Sequence, residues 1–395
     1  MDTDFSSKPL PDVPLDDRAS YDEPRSSPPR ARVGGDKASA EREGIAMRRR
    51  KFIAAPFILG SASALAGGPC LPIGPAACEP LAEDFSIPAS DPGVRLYLRN
   101  KRCTSASPRP DRTILFVHGL TYAASAVFDL PLGGNSWMDY IAARGFDVWS
   151  VDLRGFGRSS RPQEFSEPPS RNPPYLDAAT ATSDLATAAA FVRARRGLPR
   201  LTILAWSWGT ALAARHASEN PDLVERLVLY APVWLWQGPG PSPSAPPGAY
   251  RSVTANAARE GWLNSAPAHG RDALLPPGWF EAWTSAVWAT DAEGAMMDPP
   301  VLRVPNGPLA EVAENWRAGR PFFNPAGILA PTQLVVGEWD RTTPASQALA
   351  LFPLLTKSPG KRLVVLPEGT HSIFLERNRD ALFTTVQRFL EGEII

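Results

Sequence analysis

From residue 85 onward, apolar residues gather in short dense runs separated by stretches with helical spacing. The runs at 112–117, 146–151, 201–204, 227–231, 332–337 and 362–366 are rich in Val, Ile, Leu and Phe with few polar interruptions. Strands covered on both faces read this way. Between and after them, 136–144, 176–196, 210–218, 344–355 and 373–390 carry Ala and Leu at helical spacing, and Gly145 and Gly197 close two of them. Such alternation predicts an α/β fold: a mostly parallel, doubly wound sheet with helices on both faces. At its front, 85–88 and 94–101 flank Asp91-Pro92-Gly93 and predict a hairpin.

The alternation stops at Pro232 and resumes about a hundred residues later, at 332. The interval opens on a Pro-, Gly- and Ser-dominated linker, 237–248. Helix-like pieces follow that hold Trp262, Trp279, Trp283, Trp288 and Trp316. A loop this long inside a compact domain reads as a lid or subdomain. The core is therefore expected in two parts, 67–232 and 331–395, around an insertion at 233–330. Trp clusters either pack or line an apolar pocket; Trp206, Trp234 and Trp283 are the candidate pocket residues.

The N-terminal region reads differently. Residues 1–46 are rich in Pro, Ser, Asp and Arg and poor in large apolar groups, so disorder is expected. Then Met47-Arg48-Arg49-Arg50-Lys51 precedes an apolar stretch, 52–66, too short to span a bilayer and suited to a signal peptide. Ala64-Leu65-Ala66 supplies a small-residue cleavage site. Arg49-Arg50 followed by Phe52 and Ile53 resembles a bacterial twin-arginine signal. The resemblance implies passage through an export machinery to the periplasm or beyond, with no membrane span in the mature form. Without use of that signal the chain would be cytoplasmic. Because export signals begin near the N-terminus, the resemblance also implies Met47 as the true start and 1–46 as an upstream extension.

Composition narrows the function classes. Lys plus Arg and Asp plus Glu both number 41, so the net charge is zero. No basic cluster is interleaved with aromatics, which argues against a nucleic-acid partner. The four His are scattered, and Cys70, Cys78 and Cys103 all lie near the start of the mature region, away from the candidate elbow, so neither metal nor cofactor is expected. An oxidising compartment would join two of the three cysteines. The glycines of Asp152-Leu153-Arg154-Gly155-Phe156-Gly157 only superficially suggest a dinucleotide loop, because a polar, Pro-rich stretch follows instead of a helix.

Candidate chemistry lies at the ends of predicted strands. Ala205-Trp206-Ser207-Trp208-Gly209 joins the 201–204 run to a helix, the context of a nucleophile elbow with Ala in place of the first Gly. A serine hydroxyl needs a base, and the base an orienting acid. His371 and Asp340 each follow a later strand, giving the order Ser, Asp, His. Glu338 is the rival acid. His118 reads as a brace, His216 as an exposed helix residue, and His269 as part of the insertion without a role.

Together these residues resemble the α/β-hydrolase superfamily from about residue 85 to the C-terminus, outside the insertion. The matching parts are His118-Gly119, Asp152 through Ser159, the elbow at Ser207, Gly337-x-x-Asp340 and Gly369-x-His371. The resemblance implies Ser207 as nucleophile, His371 as base, Asp340 as acid, and an oxyanion hole from the backbone N–H groups of Leu120 and Trp208. It implies a serine hydrolase that cleaves a carboxylic ester of a small apolar substrate through an acyl-enzyme. An amidase or aminopeptidase, an acyl transferase or perhydrolase, and a non-catalytic binding protein of the same fold are the alternatives. Ser207 in place of an elbow Asp separates the chain from haloalkane dehalogenases and epoxide hydrolases. The elbow is similar to that of prolyl-iminopeptidase-like peptidases, but His118-Gly119-Leu120-Thr121-Tyr122 departs from their His-Gly-Gly-Pro-Gly loop.

Overall fold

The computed structural model describes residues 78–105, 107–236 and 248–393. The extension 1–46, the export-signal region 47–66, Cys70 and most of the 237–248 linker lie outside the described residues.

The chain opens with the antiparallel hairpin β1 (Leu81–Pro88) and β2 (Arg95–Arg102), then β3 (Thr113–Val117). Helices α1 (Ala124–Val127) and α2 (Trp137–Ala142) lead to β4 (Asp147–Asp152). Helix α3 (Ala178–Arg196) precedes β5 (Leu201–Trp206), and α4 (Trp208–Glu219) precedes β6 (Val224–Tyr230). The insertion contributes β7 (Tyr250–Thr254), α5 (Ala255–Ser265), α6 (Arg271–Leu274), α7 (Trp279–Trp288), α8 (Ala292–Ala295), β8 (Val301–Pro305) and α9 (Gly307–Arg317). The core closes with β9 (Thr332–Gly337), α10 (Ala345–Leu351), β10 (Arg362–Leu366) and α11 (Arg379–Leu390).

Eight strands form one sheet in the order β1-β2-β4-β3-β5-β6-β9-β10, with the six from β4 to β10 parallel. Every residue of β3, β4, β5 and β9 is buried, which is why these strands read as near-continuous apolar runs. The chain leaves β3 toward β4 and leaves β5 toward β6, in opposite directions. Right-handed crossovers then place α2 and α4 on opposite faces of the sheet. A crevice opens between the carboxyl ends of β3 and β5, the switch point where open α/β sheets collect their chemistry.

Two predicted helices are shorter in the structure. The 344–355 helix stops at Leu351 and tightens to a 3-10 turn, Phe352–Leu354, because Pro353 lacks an N–H. The 373–390 helix breaks after the turn Ile373–Leu375, and Asn378 Nδ2 donates to the Pro367 and Glu368 carbonyls at 3.0 Å each. The break folds this segment onto the loop that carries His371. In the insertion, β7 and β8 pair antiparallel where the sequence pointed only to helical pieces. Their five-residue lengths and the polar Arg251 and Arg303 hide the strand pattern. Arg303 is buried on Asp291 at 2.6 Å and on Glu293 at 2.8 Å. A disulfide joins Cys78 to Cys103.

Candidate active site

Ser207 sits between β5 and α4 with φ 56° and ψ −129°, left-handed backbone for a residue that has a Cβ. Such conformations cost of order 1–3 kcal/mol and persist where the surroundings impose them. Here the imposing parts are two close approaches. A Cβ on Gly209 would lie 2.4 Å from the His118 carbonyl oxygen, and one on Gly119 would lie 2.9 Å from Ser207 Cβ. Only glycine lets the elbow and the loop after β3 come this near. Ala205, in place of the usual first Gly, is fully buried in the sheet, where its methyl fits.

The loops after β9 and β10 bring two more groups to the elbow. His371 Nε2 lies 2.9 Å from Ser207 Oγ, and His371 Nδ1 lies 2.8 Å from Asp340 Oδ2. Asp340 is held in turn: Oδ1 accepts the backbone N–H groups of Thr342 (2.9 Å) and Thr343 (2.8 Å), and Oδ2 accepts Thr343 Oγ1–H (2.9 Å). The carbonyl of His371 accepts Trp206 Nε1–H at 2.9 Å and the Tyr230 hydroxyl at 2.8 Å. The ring is thus fixed from both the acid side and the backbone side. Glu338, the rival acid, is exposed and accepts the Glu368 N–H at 3.1 Å.

His118 is fully buried, and burial pulls its pKa below the ordinary histidine value, so the ring is neutral. Its Nε2 accepts the Leu153 N–H at 3.0 Å, which leaves the proton on Nδ1 to donate to the Gly119 carbonyl at 2.7 Å. Gly119 C=O and Leu120 N–H belong to one peptide plane and point in opposite directions. Anchoring the carbonyl on His118 therefore turns the Leu120 N–H away from it. Neither the Leu120 N–H nor the Trp208 N–H donates to another group among the described residues. Trp208 is the first residue of α4, where the first N–H groups have no intrahelical acceptor.

Asp152, the last residue of β4, accepts Ser125 N–H at 2.9 Å, Ser125 Oγ–H at 2.7 Å and Arg158 N–H at 3.0 Å. The glycine-bearing 152–159 turn is thereby a brace for the neighbouring loop.

The aromatic residues are placed otherwise than the sequence led us to expect. Trp206, Trp234 and Trp283 are only 3%, 6% and 1% exposed. Trp206 holds the His371 carbonyl, and Trp234 packs on Phe323. Trp283 lies at the centre of an insertion cluster with Trp262, Phe280 and Trp288, edge-on to Tyr122. Trp208 is fully buried, so its indole belongs to the core. His216, expected exposed, is buried, because α4 packs against α3 as well as the sheet; burial lowers its pKa. His269 packs edge-on to Trp339.

One residue near the site gave no signal in the sequence. Glu376 is fully buried and accepts Trp262 Nε1–H at 2.7 Å, Thr370 N–H at 3.1 Å and the Thr370 hydroxyl. Burial pushes its carboxyl up to about 7; the donors from Thr370 and Trp262 oppose the rise, and Asp340 adds to it. It ties the insertion to the residue preceding His371. A glutamate in a helical stretch looks like a surface residue until the helix breaks.

Among the described residues, no group of three or more His, Cys, Asp or Glu is arranged to hold a metal ion. Residues 114–385 match the family model described as the alpha/beta hydrolase family. No curated protein matches the chain significantly. Among solved structures, 2-hydroxy-6-oxo-6-phenylhexa-2,4-dienoate hydrolase from Rhodococcus sp. strain RHA1 superposes with a TM-score of 0.54 at 17% identity, covering 79% of this chain and 99% of that one. A hydrolase from Pseudomonas aeruginosa PA01 gives 0.51 at 18%, covering 78% and 98%. A bacterial membrane phospholipase A gives 0.51 at 21%, covering 80% and 87%.

Proposed function

Starting from a chain that belongs to the alpha/beta hydrolase family, we propose that it is a serine hydrolase cleaving carboxylic esters through an acyl-enzyme. The observation that carries this reading is the continuous chain Ser207 Oγ–His371–Asp340, with contacts of 2.9 and 2.8 Å. Ser207 Oγ attacks the ester carbonyl carbon while His371 Nε2 takes its proton. The carbonyl oxygen becomes an oxyanion facing the N–H groups of Leu120 and Trp208, donors worth about 3 kcal/mol each in such sites. His371 then returns the proton to the departing alkoxide, leaving acyl-Ser207. Water, deprotonated by the same nitrogen, hydrolyses the acyl group and restores the serine. Asp340 keeps the proton on Nδ1 and stabilises the imidazolium between the steps.

The insertion acts in this reading as a lid over the crevice, supported by its contacts to the Leu120 and His371 loops. Residues 47–66 act as a twin-arginine-type export signal, and the Cys78–Cys103 disulfide fits an oxidising destination.

A fluorophosphonate probe tests the nucleophile: a single adduct on Ser207, absent from denatured protein, is expected. Folded protein without that adduct would defeat the reading. Phenyl esters assayed beside aminoacyl-arylamides then separate esterase from peptidase.

A further inference from the structure

The insertion delivers one charge to the loop after β3. Arg251, on β7, donates from Nη1 to the Pro305 carbonyl at 2.7 Å, and from Nη2 to the Leu120 carbonyl and Thr121 Oγ1 at 2.9 Å each. Its guanidinium is thus one peptide away from the Leu120 N–H.

Three other arginines with largely buried side chains face carboxylates: Arg154 meets Asp184, Arg196 meets Asp147 and Arg303 meets Asp291, each at 2.6 Å. Buried Arg379 donates to Asn135, with Asp380 no nearer than 3.9 Å. Arg251 meets none at ion-pair distance among the described residues; its neighbours are two carbonyls, a hydroxyl and Tyr122. Burial pushes the Tyr122 phenol up, so it stays neutral and supplies no counter-charge. Burial also pulls the Arg251 guanidinium down to about 10, which leaves it charged at neutral pH.

Keeping a cation partly out of water without a counter-charge is costly, and a neutral donor would serve the same three acceptors. Its Nε–H and second Nη1–H have no acceptor among the described residues, while the side chain is only part-buried. A guanidinium with free N–H groups is a ready fork for a carboxylate.

We propose that Arg251 binds a carboxylate carried by the substrate, so that the site takes esters combining an apolar part with an anionic group. The proposal rests on Ser207 being the nucleophile.

The test compares phenyl hexanoate with two anionic relatives: phenyl hydrogen adipate, charged on the acyl side, and 4-carboxyphenyl hexanoate, charged on the leaving group. In wild type, at least one anionic ester is expected to exceed the neutral ester in kcat/KM by about tenfold, the scale of one charge-assisted hydrogen bond. Arg251→Gln should erase that excess, mainly through KM, and Arg251→Lys should retain part of it. Thermal unfolding checks that both variants fold; if the Gln variant does not, the wild-type and Lys ratios decide. Equal rates for all three esters in wild type, or a uniform loss in Arg251→Gln, would overturn the proposal and leave Arg251 as a loop brace. If none of the esters turns over while the fluorophosphonate still labels Ser207, protection against labelling by adipate reads the same site, and absence of protection overturns it. Absence of labelling altogether is the separate signature of a wrong nucleophile.

Discussion

The sheet and the insertion solve the problem of burying polar groups in opposite ways. In the sheet, the six parallel strands satisfy one another's backbones, and the functional side chains stand at strand ends in neighbouring loops. In the insertion, a two-stranded ribbon and short helices rely on the Arg303–Asp291 pair and on tryptophans packed edge to face. Insertion and core share one apolar cluster, with Trp283 edge-on to Tyr122, and are also joined by single polar contacts: Arg251 on Leu120 and Thr121, Trp262 on Glu376, Arg161 on the Thr290 carbonyl. The difference teaches a division of labour. In the proposed reading the sheet carries the bond-breaking groups and the insertion governs what reaches them, and its polar contacts can be removed one at a time.

Replacing Ser207 by Ala breaks the chemistry alone. Turnover is expected to fall roughly 10⁶-fold, with unchanged or slightly raised stability in urea unfolding; turnover near wild type would place the nucleophile elsewhere. Asp340→Asn leaves the packing intact but no longer holds the proton on His371 Nδ1. A loss of about 10⁴ in kcat is expected, with little change in KM, from steady-state assays on the best ester found.

Removing the indole at the centre of the insertion cluster, Trp283→Ala, should cost about 3–5 kcal/mol of stability by cavity formation. If sheet and insertion are as separable as their contacts imply, fluorophosphonate labelling of Ser207 will survive in the folded fraction. Complete loss of labelling in that fraction would show that the insertion also shapes the catalytic groups.

The smallest effect concerns Glu376, where the two regions meet. Its folded pKa of about 7 lies above the ordinary carboxyl value, so the native state holds this proton longer than the unfolded chain. Stability from this group is greatest below about pH 4.3 and is lost as pH rises toward 7. Glu376→Gln should therefore flatten the fall in stability between pH 5 and 7. Urea midpoints for both proteins across that range would show it; parallel pH profiles would mean that the carboxyl does not titrate there.

Much of the site was legible along the chain because parallel strands advertise themselves. The run 201–204 ends at Ser207, 332–337 leads to Asp340, and 362–366 leads to His371, so spacing alone aligned the three residues that the structure gathers. The hairpin at Asp91-Pro92-Gly93 was equally plain, since the turn chemistry is local. The insertion was poorly legible. Its ribbon is short and interrupted by arginines, and its tryptophans left packing and pocket lining equally open.

Read along the chain alone, the residues dictated the alternation of strand and helix and the order of the candidate residues. Each of these depends on neighbours within a few positions, through side-chain periodicity or backbone sterics. Only the tertiary structure decided that His216 and Glu376 are buried and that His118 anchors the Gly119 carbonyl. The same holds for Arg251, which arrives at the oxyanion loop without a carboxylate. Burial and pairing depend on residues distant in the chain, 114 positions for Trp262 and Glu376 and 131 for Arg251 and Leu120, and a single chain read end to end carries no record of which of them meet.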